Sequence, residues 1–397
     1  MSDKAPSTGR ETEAANSTPG DPQLCALCPK LCRFACPIAA GTADEGATPT
    51  AMMDSYHQAR AGQIPWEVAA ENLAKCTGCE ACRAPCEYDQ DVPKLLYMAR
   101  AEAWEKGAIH DGSRALHETY LAHGNPFEMD PREILLEQAR DGDFQRKGRV
   151  LYWPGCRVLA EEPATVGATM DLLRSLGADH VSLPGRDDTP VCCGAPLRVI
   201  GDRTGFEATA AGLKQFFNRQ RTWVTPSSAC LGAVRTGYPE AGVLVNAEVL
   251  HVSEFLLFFR DRLAELGKQA METMEQQDRP IPTLYVHDSC GLHRRLGRGD
   301  PVHDVVEAVT GQRPVRLAPS ADESTCCGAG DFHDLRRPEA AREVARWSQR
   351  HSSVSKEAWL ITGDTTCVGA LKRATPTPQV HDLVGFLVRW LGFLDAP

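Results

Sequence analysis

The chain has 397 residues, of which 42% are hydrophobic and 24% charged, so it is long enough for two or three globular domains. Its formal net charge of −10 argues against nucleic acid as the main partner. No apolar run approaches the roughly 20 residues needed to cross a bilayer. Residues 1–22 are polar and lack the apolar segment of a signal peptide, so we expect a disordered tail there and a cytoplasmic protein.

Cysteine is the one unusual feature of the composition, because all sixteen cysteines fall into four groups of four. Disulfide frameworks are typical of small secreted domains, whereas clustered thiols in a large chain without a secretion signal indicate metal ligands. The four groups are Cys25, Cys28, Cys32 and Cys36; Cys76, Cys79, Cys82 and Cys86; Cys156, Cys192, Cys193 and Cys230; and Cys290, Cys326, Cys327 and Cys367.

The second group has the C-x₂-C-x₂-C-x₃-C spacing that ligates [4Fe–4S] clusters in bacterial ferredoxins, where the fourth cysteine reaches the neighbouring cluster. The first group has the same pattern with one extra residue in its middle gap. We therefore expect two [4Fe–4S] clusters with exchanged fourth ligands. Set A is Cys25, Cys28, Cys32 and Cys86, and set B is Cys36, Cys76, Cys79 and Cys82. The alternative, zinc, typically uses two C-x₂-C pairs separated by a longer loop.

The residues between and after these two groups favour helices over residues 51–60, 66–74 and 94–106. This pattern predicts a helical two-cluster ferredoxin domain over residues 23–106. We expect a linker over residues 107–148, since a different pattern begins after it.

From residue 149 onward, short apolar runs alternate with helical patterns, which predicts α/β domains with mostly parallel sheets. Three of the four cysteines recur 134 residues later and the last one 137 residues later, so we infer two copies of one unit, over residues 149–270 and 281–395. Each copy would gather four thiolates into one metal site. The first repeat site is Cys156, Cys192, Cys193 and Cys230, and the second repeat site is Cys290, Cys326, Cys327 and Cys367.

The motifs resemble those of a known family. They are Pro-Gly-Cys at 154–156, Cys-Cys-Gly-Ala-Pro-Leu at 192–197 and Pro-Ser-Ser-Ala-Cys at 226–230, followed by Cys-Cys-Gly-Ala-Gly at 326–330 in the second copy. The chain is similar to proteins with two cysteine-rich CCG domains behind a two-cluster ferredoxin domain. These include the D subunit of heterodisulfide reductase, the iron–sulfur subunit of glycolate oxidase and the C subunit of anaerobic glycerol-3-phosphate dehydrogenase. The resemblance implies an electron conduit from a flavoprotein to a quinone or a disulfide.

The sequence departs from the heterodisulfide reductase pattern, whose motif ends in C-x₂-C and supplies five cysteines to a non-cubane cluster. Ser227 replaces the first of these cysteines in one copy and Asp364 replaces it in the other. Four cysteines remain per site, which argues against a five-thiolate cluster and against disulfide reduction. Asp364 is a candidate ligand or catalytic group, although Asp and Ser at loop starts often serve as helix caps.

Three further features bear on cofactors and partners. His287, just before Cys290, is a candidate to hydrogen-bond a cluster sulfur or to relay a proton. No Gly-rich dinucleotide motif follows a strand, so we expect the chain itself to bind neither NAD nor FAD. The amphipathic stretch at 383–394 would either cover its own sheet or dock on a membrane surface or partner.

These observations predict an iron–sulfur electron-transfer subunit of a multi-subunit oxidoreductase. A flavoprotein dehydrogenase subunit acting on a hydroxy acid or glycerol phosphate would supply electrons, because clusters alone do not perform hydride transfer. The protein would be cytoplasmic or peripheral on the inner membrane. Two alternatives stay open: a catalytic disulfide or quinone reductase with chemistry at the repeat sites, and structural zinc in both repeats.

Overall fold

The computed structural model describes residues 21–144, 149–184, 192–350, 354–374 and 379–393. Apart from its last two residues, the tail expected over residues 1–22 lies outside these ranges. In the parts of the chain that the structure describes, no helix is long and apolar enough to span a membrane.

The amino-terminal part, up to Glu105, is built from helices, as the sequence predicts. Its helices are Pro22–Leu27, Cys32–Ala35, Pro37–Thr42, Pro49–Arg60, Trp66–Leu73 and Val92–Glu105, with a 3-10 turn at Glu45–Ala47. Local caps explain where two of them begin. The hydroxyl of Thr48 accepts the Ala51 amide at 3.3 Å, and the carboxylate of Asp91 accepts the Lys94 amide at 3.1 Å. Each cap satisfies an amide that has no partner within its own helix.

The segment expected to be a linker carries regular structure. It contains helices Asp111–His123 and Pro131–Gln138 and a 3-10 turn at Asp141–Asp143. The first of these helices packs against helices of both repeats, Ala195–Ile200 and His333–Arg336. The described part of this segment, residues 107–144, therefore takes part in joining the amino-terminal part to the repeats.

The first repeat is a four-stranded parallel sheet with the strand order β2-β1-β3-β4. Its strands are β1 (Val150–Tyr152), β2 (Val181–Ser182), β3 (Thr222–Thr225) and β4 (Glu248–His251). Its helical segments are Cys156–Glu161, Ala164–Ser175, Ala195–Ile200, Arg203–Asn218, Ser228–Gly232, Ala233–Gly237, Tyr238–Glu240, Val252–Leu256, Leu257–Phe259 and Arg260–Gln276. The predicted alternation of strands and helices around a parallel sheet is thus confirmed for this repeat.

The second repeat has the same topology, with parallel strands in the order β6-β5-β7-β8. Its strands are β5 (Leu284–His287), β6 (Val315–Arg316), β7 (Trp359–Thr362) and β8 (Val380–Asp382). Its helical segments are Asp300–Thr310, Ala321–Glu323, Gly330–Phe332, His333–Arg336, Pro338–Arg350, Thr365–Ala374 and Leu383–Trp390. The equal strand order of the two sheets confirms the predicted duplication. The cysteines of both repeats lie just beyond the carboxyl ends of strands or in the following helices, where open α/β sheets build their sites.

The glycine after each Cys-Cys pair has a backbone conformation that other residues rarely adopt. Gly194 has φ = 79° and Gly328 has φ = 86°. A side chain at Gly328 would also meet the carbonyl oxygen of Ala341 at 2.5 Å. These glycines are therefore required by the turn and by close helix packing.

A shared apolar core holds the two repeats together. One buried cluster contains Val224 from the first sheet and Val286 and Ile361 from the second. The carboxy-terminal helix Leu383–Trp390 contributes Leu383, Val384 and Phe386 to the same cluster, each at most 3% exposed. This helix covers its own sheet, so its apolar face is not exposed to a membrane or a partner.

Candidate functional site

All sixteen cysteines are free thiols within the described residues, and most are buried. Only Cys28, Cys76 and Cys86 are half-buried. Burial of a thiol disfavours its charged form, so a cluster of buried thiolates needs a cation to neutralise it. A donor set made of sulfur alone fits soft metals and iron–sulfur clusters.

The four thiols of set A lie within each other's electrostatic influence. Burial raises the pKa of Cys25 to about 12, and the nearby thiolates of Cys28, Cys32 and Cys86 contribute in the same direction. Burial and two of the same partners, Cys28 and Cys86, raise the pKa of Cys32 to about 11. The structure thus places Cys86 from the second group near Cys25 and Cys32, and its role as the fourth ligand of set A stays a prediction.

Set B shows the reciprocal exchange. Burial raises the pKa of Cys36 to about 12, and the thiolates that add to this effect are Cys79 and Cys76. The pKa of Cys82 is raised well above its usual range, first by burial and then by Cys79, Cys76 and Cys36. Cys36 therefore lies among the cysteines of the second group, although it follows Cys32 in the chain.

The geometry bears on the zinc alternative. No three His, Cys, Asp or Glu side chains in the described ranges converge closely enough to hold one metal ion. A tetrahedral zinc site would hold its four sulfurs about 3.8 Å apart, because zinc–sulfur bonds are about 2.3 Å long. Two sulfur pairs of the first repeat site, Cys156–Cys192 at 4.0 Å and Cys193–Cys230 at 3.4 Å, are close to this spacing, so the zinc alternative stays open for the repeats.

In the first repeat site, the adjacent cysteines face different partners. The Cys156 and Cys192 sulfurs are 4.0 Å apart, and the Cys193 and Cys230 sulfurs are 3.4 Å apart. All four side chains are at most 5% exposed. The hydroxyl of Tyr238 donates to the carbonyl of Cys193 at 3.0 Å, which ties this site to the surrounding aromatic core.

The second repeat site has its four cysteines at the same positions of the fold as the first, and it makes one further contact, with set B. The pKa of Cys326 is raised well above its usual range, first by the thiols of Cys290 and Cys327. The pKa of Cys327 is lowered well below its usual range, first by the thiols of Cys326 and Cys367. Cys326 also packs against Cys79, a member of set B. The amide of Gly328 donates to the Cys326 sulfur at 3.3 Å, a bond that favours the thiolate.

The two residues that replace cysteines in the family motif both cap helices. The hydroxyl of Ser227 accepts the Cys230 amide at 3.3 Å, and the carboxylate of Asp364 accepts the Thr366 amide at 3.0 Å. The second carboxylate oxygen of Asp364 accepts a hydrogen bond from the Ser228 hydroxyl of the other repeat. Both oxygens of Asp364 thus have protein partners, and its predicted role as a ligand or catalytic group stays a prediction.

His287 lies at the end of β5 and is 2% exposed. Its Nε2 atom has no hydrogen-bond partner within the described residues, and the Cys327 thiolate lies close enough to affect its charge. Burial nevertheless lowers the pKa of His287, so the neutral ring is favoured. An unpartnered ring nitrogen beside cysteine sulfur fits the predicted hydrogen bond to a cluster sulfur.

A cleft lies where the two repeats and the amino-terminal part meet. Its walls include Cys290, Cys327 and Cys367 of the second repeat site and the side chains of Arg198 and Arg295. Asp331 and Asp364 line it too, so cysteine sulfur, guanidinium and carboxylate groups meet in the same space.

Several arginines near set B are absent from the sequence-based predictions. Arg100 donates to the carbonyl of Cys76 at 2.7 Å, and Arg336 of the second repeat donates to the same oxygen at 3.4 Å. Arg294 donates to the carbonyl of Cys79 at 2.7 Å. The sequence contains one indication of a special role for Arg294. The matching position in the first repeat is Ala160, so this arginine is not part of the repeated pattern.

Arg157, which follows Cys156, pairs with carboxylates. It donates to Asp334 of the second repeat at 2.9 and 3.1 Å and to Glu161 at 2.6 Å. The charge of this buried guanidinium is thus already balanced. Its main effect is to join the two repeats across their interface.

Comparison with known proteins agrees with this architecture. The family model described as "Cysteine-rich domain" (CCG) matches twice, at residues 150–235 and 284–372. The chain is 26% identical over 307 residues to the D subunit of dihydromethanophenazine:CoB–CoM heterodisulfide reductase from Methanosarcina mazei. This match covers 76% of this chain and 72% of that protein.

Two bacterial proteins are also similar. The probable iron-sulfur-binding oxidoreductase FadF of Bacillus subtilis is 24% identical over 367 residues, which cover 87% of this chain and 49% of FadF. This chain therefore spans about half the length of that relative. Lactate utilization protein A of Oceanobacillus iheyensis is 24% identical over 210 residues, covering 50% of this chain and 78% of that protein.

Proposed function

This chain belongs to the CCG-domain family of iron–sulfur redox proteins, and we propose that it is the electron-transfer subunit of a multi-subunit oxidoreductase. Its electrons would come from a flavoprotein dehydrogenase subunit acting on a hydroxy acid or glycerol phosphate and would leave to a quinone or another acceptor. The name of the Oceanobacillus iheyensis relative, a lactate utilization protein, supports a hydroxy acid as the origin of the electrons.

The observation that carries this proposal is the connected arrangement of three of the four cysteine sets. Set A is joined to set B, since the Cys32 thiolate of set A influences Cys82 of set B. Set B contacts the second repeat site through Cys79 and Cys326. A series of adjacent thiol sets is what an electron relay requires, whereas a single catalytic metal site needs only one.

In this proposal, sets A and B each bind a [4Fe–4S] cluster and each repeat site binds one further cluster. Such clusters, when bound, supply one-electron storage and transfer. The protein's own residues bury the thiolates, donate hydrogen bonds to their sulfurs and place positive charge beside them. Each of these contributions tunes a cluster's potential.

Anaerobic purification followed by a redox titration with dithionite tests this proposal. We expect reducible iron–sulfur signals in electron paramagnetic resonance (EPR) from more than two clusters, with bleaching of the visible absorption on reduction. A purified protein that contains zinc in place of iron, or iron that no reductant affects, would contradict the proposed relay.

A second function, catalytic reduction of a disulfide or quinone, is favoured by the cleft beside the second repeat site. Arg198 and Arg295 line it together with Cys327, so an anionic acceptor could approach the thiols. This function predicts a spectral change of the second repeat site on adding a disulfide, and loss of that change in Asp364→Ala. An unchanged spectrum would leave the relay as the function.

A further inference from the structure

The feature that motivates a further proposal is the contact between set B and the second repeat site. Cys79, Cys290 and Cys326 form one buried cluster, with Ala81 packed against it. The side chains of Cys79 and Cys326 thus pack together, although the two residues are 247 positions apart in the chain. The two cysteine sets therefore meet in one buried side-chain contact.

Arg294 clamps this contact from the second repeat. Its Nε donates to the carbonyl of Cys79 at 2.7 Å, and its Nη1 donates to the carbonyl and hydroxyl of Ser324 at 2.6 and 3.0 Å. Ser324 precedes Cys326 by two residues. One guanidinium thus fixes the loop of Cys79 against the loop of Cys326, which a planar fork of donors does better than an ammonium group.

One nitrogen of the Arg294 guanidinium has no hydrogen-bond acceptor in the parts of the chain that the structure describes, and the charge of this group lies close to cysteine sulfur. The Nη2 atom of Arg294 is buried and has no hydrogen-bond partner within the described residues. The charge of Arg294 lies near Cys79, Cys290 and Cys326, which form one buried cluster beside the Cys79 carbonyl that Arg294 binds. An unpaired buried donor is costly, so this one fits a hydrogen bond to cluster sulfur.

The first repeat has no counterpart to this clamp. The position that matches Arg294 is Ala160. Cys193 and Cys230 pack instead among Trp153, Trp223 and other aromatic side chains in one apolar cluster. The duplicated units therefore differ at the position that links a repeat to the amino-terminal part.

We propose that Arg294 makes the Cys79–Cys326 contact the point at which electrons enter the paired repeats, so that the second repeat site is reduced before the first. This inference rests on the proposed electron-transfer function. Each transfer moves one electron: the group bound by set B is oxidised, the group bound at the second repeat site is reduced, and no bond forms or breaks. The flavoprotein donor supplies the electrons, and dithionite replaces it in the test. Arg294 acts as a positioning residue that also supplies charge.

The test compares full-length Arg294→Gln and Arg294→Lys with the parent protein. Arg298→Gln serves as the control, because Arg298 lies on the same segment but pairs with Glu254 at 2.7 Å. After iron and sulfide analysis, EPR-monitored titration gives the midpoint potentials of set B and the second repeat site. Rapid freezing after dithionite addition gives the order in which the two repeat sites are reduced.

In the parent we expect magnetic broadening between the set B and second-site signals, and reduction of the second site first. Loss of positive charge in Arg294→Gln should lower both potentials and slow reduction of the second site. Arg294→Lys should keep potentials near those of the parent but lose part of the broadening, since lysine cannot span both loops. Arg298→Gln should match the parent in every readout.

Parental potentials, broadening and reduction order in Arg294→Gln would overturn the inference while leaving the relay intact. A parent without iron–sulfur clusters would instead refute the proposed function. If Arg294→Gln fails to fold, the lysine variant decides: weakened broadening with slower reduction of the second site supports the clamp, and parental behaviour overturns it.

Discussion

The two repeats are nearly the same scaffold with different surroundings. Both sheets are parallel with the same strand order, and in both the four cysteines lie just beyond strand ends or in the helices that follow. The first site is enclosed by aromatic side chains, whereas the second contacts a cysteine of set B and opens onto the cleft. Duplication thus preserved the arrangement of the four cysteines, while the segments around each set differ in what they bring close to it.

The largest change in iron content and EPR signals should come from matched serine substitutions in the two Cys-Cys pairs. Cys326→Ser should change the EPR signals of both set B and the second repeat site, because Cys326 contacts Cys79. Cys192→Ser occupies the matching position of the first repeat and should change that site alone. Iron analysis and EPR of the reduced proteins check this, and equal effects of the two variants would remove the distinction between the repeats.

A second difference lies in the loop before Cys290, where Asp288 takes the place of Pro154. The buried carboxylate of Asp288 bonds to His303 at 2.7 Å and to Arg316 at 3.0 and 3.2 Å. Because Asp288→Ala leaves its buried partners uncompensated, we expect the free energy of unfolding to fall by about 3 kcal/mol.

Anaerobic urea unfolding measures this loss. Asp300→Ala is the matched control, since Asp300 also pairs with Arg316 but its side chain is 66% exposed. An exposed pair contributes only about 0–1 kcal/mol. Equal losses in the two variants would show that the buried network does not stabilise the Cys290 loop.

Substitution of the helix-capping residues Ser227 and Asp364 should lower the free energy of unfolding by smaller amounts, which differ between the two residues. Ser227→Ala removes one helix cap and should cost about 1 kcal/mol. Asp364→Ala removes a cap and also the contact with Ser228 of the other repeat, so its cost should be larger. Thermal unfolding of the two variants checks the order.

Asp364→Asn separates capping from metal ligation. An amide oxygen still accepts the Thr366 amide, so a capping role predicts near-parental stability and parental EPR signals. A changed EPR signal of the second repeat site with unchanged stability would instead indicate that Asp364 is a ligand.

The smallest effects should appear in the pH dependence of stability at the last residue of the fourth strand of each repeat, Asp382 and His251. Burial raises the pKa of Asp382 to about 6, above the unfolded value of about 3.9. The folded state therefore binds the proton more tightly, and stability is lost as the pH rises from about 4 to 6. Asp382→Asn should remove about 1 kcal/mol of this loss between pH 5 and pH 6.

His251 occupies the corresponding place in the first repeat and should act in the opposite direction. Burial lowers the pKa of His251 below its usual value of about 6.5, so the unfolded chain binds the proton more tightly. Its contribution to stability is present above pH 6.5 and is lost as the pH falls below that value. His251→Gln should flatten this fall in urea unfolding curves, and an unchanged fall would assign it to other groups.

Much of this architecture could be predicted from the sequence, because it is encoded in spacing. The 134-residue offset revealed the duplication, and the ferredoxin spacing predicted that Cys36 and Cys86 exchange between groups. Both features are spacings between cysteines along the chain, and such spacings can be recognised without knowledge of the fold.

The contacts between domains could not be predicted in the same way. The bond from Arg294 to Cys79 joins residues 215 positions apart, and no local pattern reports such a distance. The helix Asp111–His123, expected to be linker, packs on both repeats for reasons that only the assembled fold shows. The carboxy-terminal helix looked amphipathic in sequence, yet the shared core buries it.

The most direct test of the whole account is the iron, sulfide and zinc content of anaerobically purified full-length protein, with EPR on the same sample. The account predicts about 12 to 16 irons per chain with matching sulfide and little zinc, because all four cysteine sets bind clusters. About 8 irons together with zinc would contradict it, since the repeats would then be structural zinc modules and the relay would end at set B.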